Sequence, residues 1–159
     1  MPHLFNLRRT AASALIGILS CTAAAAETVH QLEPINPPGV QIPGVSQAVV
    51  VRTGRFMYLS GHVPFNERGQ MSENLEAQLN QVFANMQATL EAAGTDFSSL
   101  AKVTVYIKDY DPSQLPLLRQ VRDKWISTAT PPASALIGVD ALFIPQALVE
   151  IDAVAVLPD

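Results

Sequence analysis

The stretch TPPASALIGVDALFIPQALVEIDAVAV, residues 130–156, decides the fold because it contains two strands near the end of the chain. Residues 133–139 alternate up to Gly138, and residues 148–156 are almost continuous in valine, isoleucine, leucine and alanine. Both patterns are typical of β-strands. The two prolines before the first strand stop any preceding helix. We therefore expect the chain to end in a pair of strands.

Glu150 is out of place in the second of these strands, between Val149 and Ile151. Its carboxylate must face water, find a partner or be neutralised, because burying an unpaired charge is costly. A glutamate that simply points to solvent is one interpretation. A functional carboxylate is the other.

The start of the chain predicts export. Arg8 and Arg9 precede a short apolar run, and an alanine run ends at Ala26. These are the parts of a secretory signal peptide over residues 1–26, and the apolar run is too short to span a bilayer. We expect a periplasmic or secreted protein without stable membrane insertion. Lipidation at Cys21 is a competing interpretation, but the alanine run supplies the better cleavage site.

Cleavage after residue 26 leaves 133 residues without cysteine, enough for one compact domain. The net charge changes from −4 to −6 because Arg8 and Arg9 leave with the signal. This balance argues against a nucleic-acid partner, which would need a basic face. Residues 27–44 carry four prolines and are expected to form an extended arm, and residues 45–159 the domain.

Going outward from the closing strands, the periodicities predict an α+β fold in the order β-β-α-β-α-β-β, with two helices packed on one face of a mixed sheet. The expected strands cover residues 47–52, 56–60, 101–108, 133–139 and 148–156. We expect a hairpin between the first two. The expected helices cover residues 72–93, with Ser72 as N-cap and Gly94 after the last turn, and from Asp111-Pro112 to about Thr128.

Two helices cover only one face of such a sheet, yet both faces carry apolar residues. Phe56 and Tyr58, for example, alternate with Met57 and Leu59. A large second apolar face indicates an interaction surface, so we expect the chain to oligomerise through it. Glu150 is expected on that side.

Five pieces of the sequence resemble the Rid (reactive intermediate deaminase, YjgF) family, and the resemblance covers roughly residues 45–156. They are Ser60-Gly61 after a strand, EAAG at 91–94, KVTVYIKD at 102–109, PAS at 132–134 and VEIDAVAV at 149–156. The resemblance implies a chorismate-mutase-like subunit and a homotrimer with ligand clefts between neighbours. It also implies hydrolysis of imines or enamines to a carbonyl compound and ammonia, without metal or cofactor.

By the same resemblance, Glu150 matches the glutamate that activates water, and Ser60 and Gly61 match residues beside the ligand. The carboxylate-binding arginine of active members is absent, since Ser134 stands there. Other expected positions of the cleft are also altered. They are Leu136, often cysteine, Leu117, often asparagine, and Val45, nearest to a tyrosine. His62 is expected at the edge of the cleft, with a general-base role as the less favoured alternative.

Serine cannot replace a guanidinium fork, so we expect weaker binding of acids and a preference for neutral or weakly polar ligands. Three hypotheses follow: an exported hydrolase with an altered substrate, a small-ligand-binding or protective protein without chemistry, and a chaperone-like surface. The sequence provides too few ligands for a metal site, and no cofactor is expected.

Overall fold

The computed structural model describes residues 31–39 and 42–158. The expected signal peptide, Cys21 and the first residues of the arm lie outside these ranges. The elements are, in chain order, β1 Leu32–Ile35, β2 Ala48–Val51, β3 Arg55–His62, α1 Leu75–Ala92, β4 Leu100–Lys108, α2 Leu115–Trp125, β5 Ala133–Val139 and β6 Val149–Leu157. Short 3-10 turns precede β4 and α2. No helix within the described residues is long and apolar enough to cross a membrane.

Four strands form a mixed sheet in the order β3-β6-β4-β5. Strand β6 runs antiparallel to both β3 and β4, and β5 runs parallel to β4. A parallel pair needs a crossover connection, and α2 supplies it. The predicted α+β class, the two helices and the closing pair of strands are confirmed.

The predicted hairpin between the first two strands is wrong. Strand β2 pairs with β1, from the arm, and the two form a separate small sheet, while β3 pairs with β6. The arm is held there because Arg52 donates its backbone N–H to the Gln31 carbonyl, and the Gln31 amide donates to the Leu157 carbonyl at 2.7 Å. Strand β1 contains Pro34, which an edge strand tolerates. The partner of β2 is therefore the arm and not β3.

Helix α1 packs its apolar stripe against one face of the main sheet, and this contact forms the core. The fully buried members include Leu79, Val82, Phe83, Met86 and Leu90 of the helix, facing Val103, Ile107, Val149 and Ile151. The ring of Trp125, at the end of α2, stacks on Phe83 with centroids 6.0 Å apart.

The ends of the helices differ from the prediction in two places. Asn74 is the N-cap of α1, accepting the Ala77 N–H, while the predicted Ser72 accepts the N–H of Asn74. Asparagine caps as well as serine, so the residue types alone do not separate these sites. Helix α2 ends at Trp125, three residues earlier than expected. Gly94 follows α1 with φ +76°, as predicted.

The face of the sheet opposite the helices is open. Phe56 and Tyr58 of β3 are 56% and 77% exposed, whereas Leu59, on the helix side, is buried. Because side chains alternate along a strand, Ser60 follows Phe56 and Tyr58 on the open face.

Candidate functional site

A β-bulge in strand β3 positions Glu150. The pairing of β3 with β6 shifts between Leu59 and His62, so Ser60 and Gly61 form the irregular segment. The Glu150 side chain lies over Gly61, where an added Cβ would stand 2.0 Å from its Oε1 atom. Glycine is therefore required for this close approach. Bulges often reorient side chains next to active sites, which suits a carboxylate held for chemistry.

His62 fastens the bulge to helix α1. Its Nδ1 lies 2.8 Å from the Ser60 carbonyl oxygen, and its Nε2 lies 2.8 Å from the Thr89 hydroxyl. Both ring nitrogens thus have partners inside the protomer. These two contacts link the bulge, where Glu150 lies, to helix α1.

Tyr106 and Asp152 form a second pair on the open face. Tyr106 is opposite Glu150 in the β4–β6 register, and its hydroxyl donates to Asp152 Oδ2 at 2.9 Å. That hydrogen bond raises the pKa of Tyr106 above its ordinary value, with burial and the negative charges of Asp152 and Glu150 adding to the effect. Tyr106 is therefore a neutral phenol at neutral pH. The open face carries a hydroxyl donor beside two carboxylates.

Three other predicted site residues meet on the opposite face of the sheet. Val45, Ser134 and Leu136 line a cavity of about 170 Å³ between β5, α2 and the end of the arm. In the parallel register Ser134 and Leu136 lie beside Val103 and Val105, which face the helices.

Ser46 holds the end of the arm in place next to this cavity. Its buried hydroxyl donates to the Pro131 carbonyl, and its N–H donates to the Pro132 carbonyl at 3.1 Å. Val45 is thereby fixed beside the start of β5.

The expected cleft is thus divided within one protomer. Ser60, Gly61, His62 and Glu150 belong to the region around the bulge, and Val45, Ser134 and Leu136 belong to the cavity. Leu117 packs against the hydrophobic core and is not among the residues that line the cavity.

Two arginines of α2, Arg119 and Arg122, also line the cavity, and the sequence analysis did not identify them as site residues. The signal was present: Leu115, Leu118, Arg119 and Arg122 have the spacing i, i+3, i+4, i+7 of one helix stripe. All four line the cavity.

No group of three or more histidine, cysteine, aspartate or glutamate residues that could hold a metal ion occurs within residues 31–39 and 42–158. The chemistry available at the bulge is that of a carboxylate acting as a base, with a neutral phenol and a serine hydroxyl nearby.

Comparisons with known proteins agree with this fold. The model of the family described as Ribonuc_L-PSP, endoribonuclease L-PSP, matches residues 42–157, which include every described element except β1. A RutC family protein from Aquifex aeolicus is 32% identical over 79% of this chain and 99% of its own length. A 2-iminobutanoate/2-iminopropanoate deaminase from Dermatophagoides farinae is 31% identical over 79% of this chain and 89% of its own length.

Solved structures are similar as well. YyfB from Yersinia pestis, a protein of unknown function of the conserved Rid protein family, superimposes with a TM-score of 0.74 at 30% identity. The match covers 80% of this chain and 100% of that one.

Proposed function

The chain belongs to the Rid family, and on that premise we propose that it hydrolyses small imines or enamines to a carbonyl compound and ammonia, with Glu150 activating the attacking water. The observation that carries the proposal is the Glu150 carboxylate lying against Gly61 at the bulge. The similarity to a protein named 2-iminobutanoate/2-iminopropanoate deaminase supports the same reaction.

The proposed reaction forms one C–O bond, breaks the C–N bond and otherwise needs only proton transfers. Glu150 accepts a proton from water while the water oxygen attacks the imine carbon, and the imine nitrogen takes up a proton from solvent. The resulting carbinolamine then collapses. Glu150 returns its proton to the leaving nitrogen, the hydroxyl proton of the carbinolamine is lost to solvent, and the carbonyl compound and ammonia are released. An enamine enters the same sequence once protonation at carbon has converted it to the imine.

We propose that the complete site forms between subunits of a homotrimer. Glu150 lies near Tyr106 on the open face, whereas Ser134 lines the cavity on the helix side of the sheet. Since a sheet separates them, one protomer cannot present both to the same small molecule. A neighbouring copy with its open face against the mouth of the cavity would bring the two groups together.

The substrate range is proposed to differ from that of active relatives. Ser134 offers a hydroxyl where the resemblance implies a guanidinium, so it cannot bind a carboxylate as a bidentate fork. Recognition must then come from other residues of the cavity. We also propose that the reaction takes place after export, because residues 1–26 have the pattern of a signal peptide.

A second candidate function is the binding of a small molecule without turnover. The mostly apolar wall of the cavity favours it, with residues such as Phe83, Leu115 and Leu118. In that case the Glu150 carboxylate at the bulge would have no catalytic role.

Ammonia release separates these candidates. Imines made in situ by an amino-acid oxidase, from neutral and acidic amino acids, are offered to the wild type, Glu150→Gln and Asp152→Asn. We expect the wild type to accelerate ammonia release and Glu150→Gln to lose roughly 100-fold or more, the usual contribution of a general base. Asp152→Asn is the matched control, since it removes a carboxylate two residues away and its amide oxygen still accepts the Tyr106 hydroxyl.

Equal rates for the wild type and Glu150→Gln would remove Glu150 from the mechanism. No acceleration on any substrate would leave the binding function as the better candidate.

A further inference from the structure

The cavity beside Ser134 has two arginines in a wall that is otherwise mostly apolar. Arg119 and Arg122 of helix α2 contribute to its wall. The rest of the wall is almost entirely aliphatic or aromatic, formed by Ile42, Val45, Leu79, Phe83, Val105, Leu115, Leu118 and Leu136. A charge near such surroundings interacts strongly with an anion because little water screens it.

The guanidinium of Arg122 already has hydrogen-bond partners within the protein. Its Nε and Nη2 donate to Asp123 Oδ1 at 2.8 and 2.6 Å, and its Nη2 also donates to the Pro43 carbonyl at 3.2 Å. The guanidinium lies across Gly44, where a Cβ would stand 2.1 Å from Nη2. Arg122 therefore fastens the arm, and Asp123 compensates its charge.

Arg119 is different. Among residues 31–39 and 42–158, its guanidinium has no hydrogen-bond or ion-pair partner. The residue is nevertheless half-buried and lines the cavity. Taking part of a charged side chain out of water has a cost that an anion would offset. The planar fork of five N–H donors matches a carboxylate.

We propose that Arg119 binds the carboxylate of an anionic substrate in this cavity, and so replaces the guanidinium that is missing at Ser134. The inference rests on the proposed function and adds a residue that selects its substrate, an arginine on helix α2 at a position that the family resemblance does not mark. The cavity has a volume of about 170 Å³, well above the roughly 10–15 Å³ that a single water needs, so it accommodates a ligand of several heavy atoms. The ligand would be an acid, contrary to the neutral ligand expected from Ser134 alone.

Binding of a stable acid tests the proposal without turnover. Titration calorimetry with 2-oxobutanoate and with the neutral ketone 2-butanone is carried out on the wild type, Arg119→Gln and Arg119→Lys. We expect Arg119→Gln to weaken 2-oxobutanoate binding at least tenfold, the effect of about one charge-assisted hydrogen bond. Arg119→Lys should lose less, because it keeps the charge but not the fork. The affinity for 2-butanone should not change.

Arg68→Gln is the control, since Arg68 is exposed in the loop before α1 and its N–H donates to Asn66. Unchanged 2-oxobutanoate binding in Arg119→Gln, or an equal loss in Arg68→Gln, would overturn the proposal, as would a wild type that binds no 2-oxobutanoate. If Arg119→Gln does not fold, Arg119→Lys decides: a measurable loss of 2-oxobutanoate affinity with unchanged 2-butanone affinity is expected, and no loss of 2-oxobutanoate affinity would overturn the proposal.

The experiments can reject the hydrolase proposal and the Arg119 proposal independently of each other. Arg119-dependent binding without any ammonia release would support this inference and reject the hydrolase. Glu150-dependent turnover of acidic imines that is unaffected in Arg119→Gln would support the hydrolase and reject the role of Arg119.

Discussion

Gly61 shows how one missing side chain can determine the position of a functional one. An alanine Cβ at this position would overlap the Glu150 carboxylate and touch its Cδ at 2.9 Å. The atoms that must move are at the end of a flexible side chain, so the backbone can stay in place. The site is therefore far more sensitive to this substitution than the fold is.

We predict that Gly61→Ala loses most of the imine-hydrolysing activity and changes the free energy of unfolding by no more than about 0.5 kcal/mol. Activity is measured as ammonia release and stability by urea unfolding. Gly69→Ala is the opposite control: nothing lies within 4 Å of its Cβ, but its φ is +71°. It should destabilise the protein by about 1 kcal/mol, the cost of a left-handed alanine, and leave activity intact. Full activity in Gly61→Ala would mean that the position of Glu150 is unimportant.

At the scale of the elements, Gln78 connects helix α1 to the loop between β5 and β6. Its amide nitrogen donates to the carbonyls of Ser72 and Gln146, at 2.6 and 3.1 Å, and its oxygen accepts the Leu148 N–H at 2.7 Å. The side chain is fully buried, although the helical periodicity puts it off the apolar stripe. Burial is favourable here because the amide is fully satisfied.

Gln78→Ala should lower the free energy of unfolding by about 3 kcal/mol, because it leaves buried polar groups without partners and opens a cavity. Gln87→Ala, on the same helix, removes only a surface contact with Glu91 and should cost less than about 0.5 kcal/mol. Chemical denaturation of both variants provides the comparison. A loss below about 1 kcal/mol for Gln78→Ala would show that the connection is not important for stability.

At the scale of the whole molecule, the open sheet face carries two exposed aromatic side chains. Phe56 and Tyr58 stand side by side on it, with ring centroids 6.4 Å apart. Exposed aromatic clusters of this kind usually mark contact surfaces. The proposed site shared between subunits gives this surface a function as well, because the contact would bring Glu150 of one copy to the cavity of another.

We predict that the wild type sediments as a trimer and that Tyr58→Glu dissociates it, because a charge would be buried without a partner at the interface. Gln120→Glu adds the same charge on the exposed side of α2 and should leave the trimer intact. Analytical ultracentrifugation gives the masses. The hydrolase activity should be lost together with the trimer, and a monomeric wild type would contradict the shared-site proposal.

Features that depend on neighbouring residues in the chain could be predicted before the structure was known. Period two and one almost continuous apolar run identified the four strands of the main sheet, and period 3.6 identified both helices. The misplaced Glu150 was identified from its own strand. The family resemblance was also readable from short segments and is confirmed by the match over residues 42–157. Local patterns predict these elements because a helix or strand that buries one face must carry apolar residues at the spacing of that face.

Contacts between residues that are distant in the chain became visible only in the folded protein. Strand β2 pairs with β1 of the arm and not with β3, and no local pattern ranks these two possible partners. Arg119 lines the cavity beside Ser134 because the crossover through α2 brings that helix over β5. Long-range pairing depends on the free energy of the whole packing arrangement. This free energy cannot be read from a single stretch of sequence.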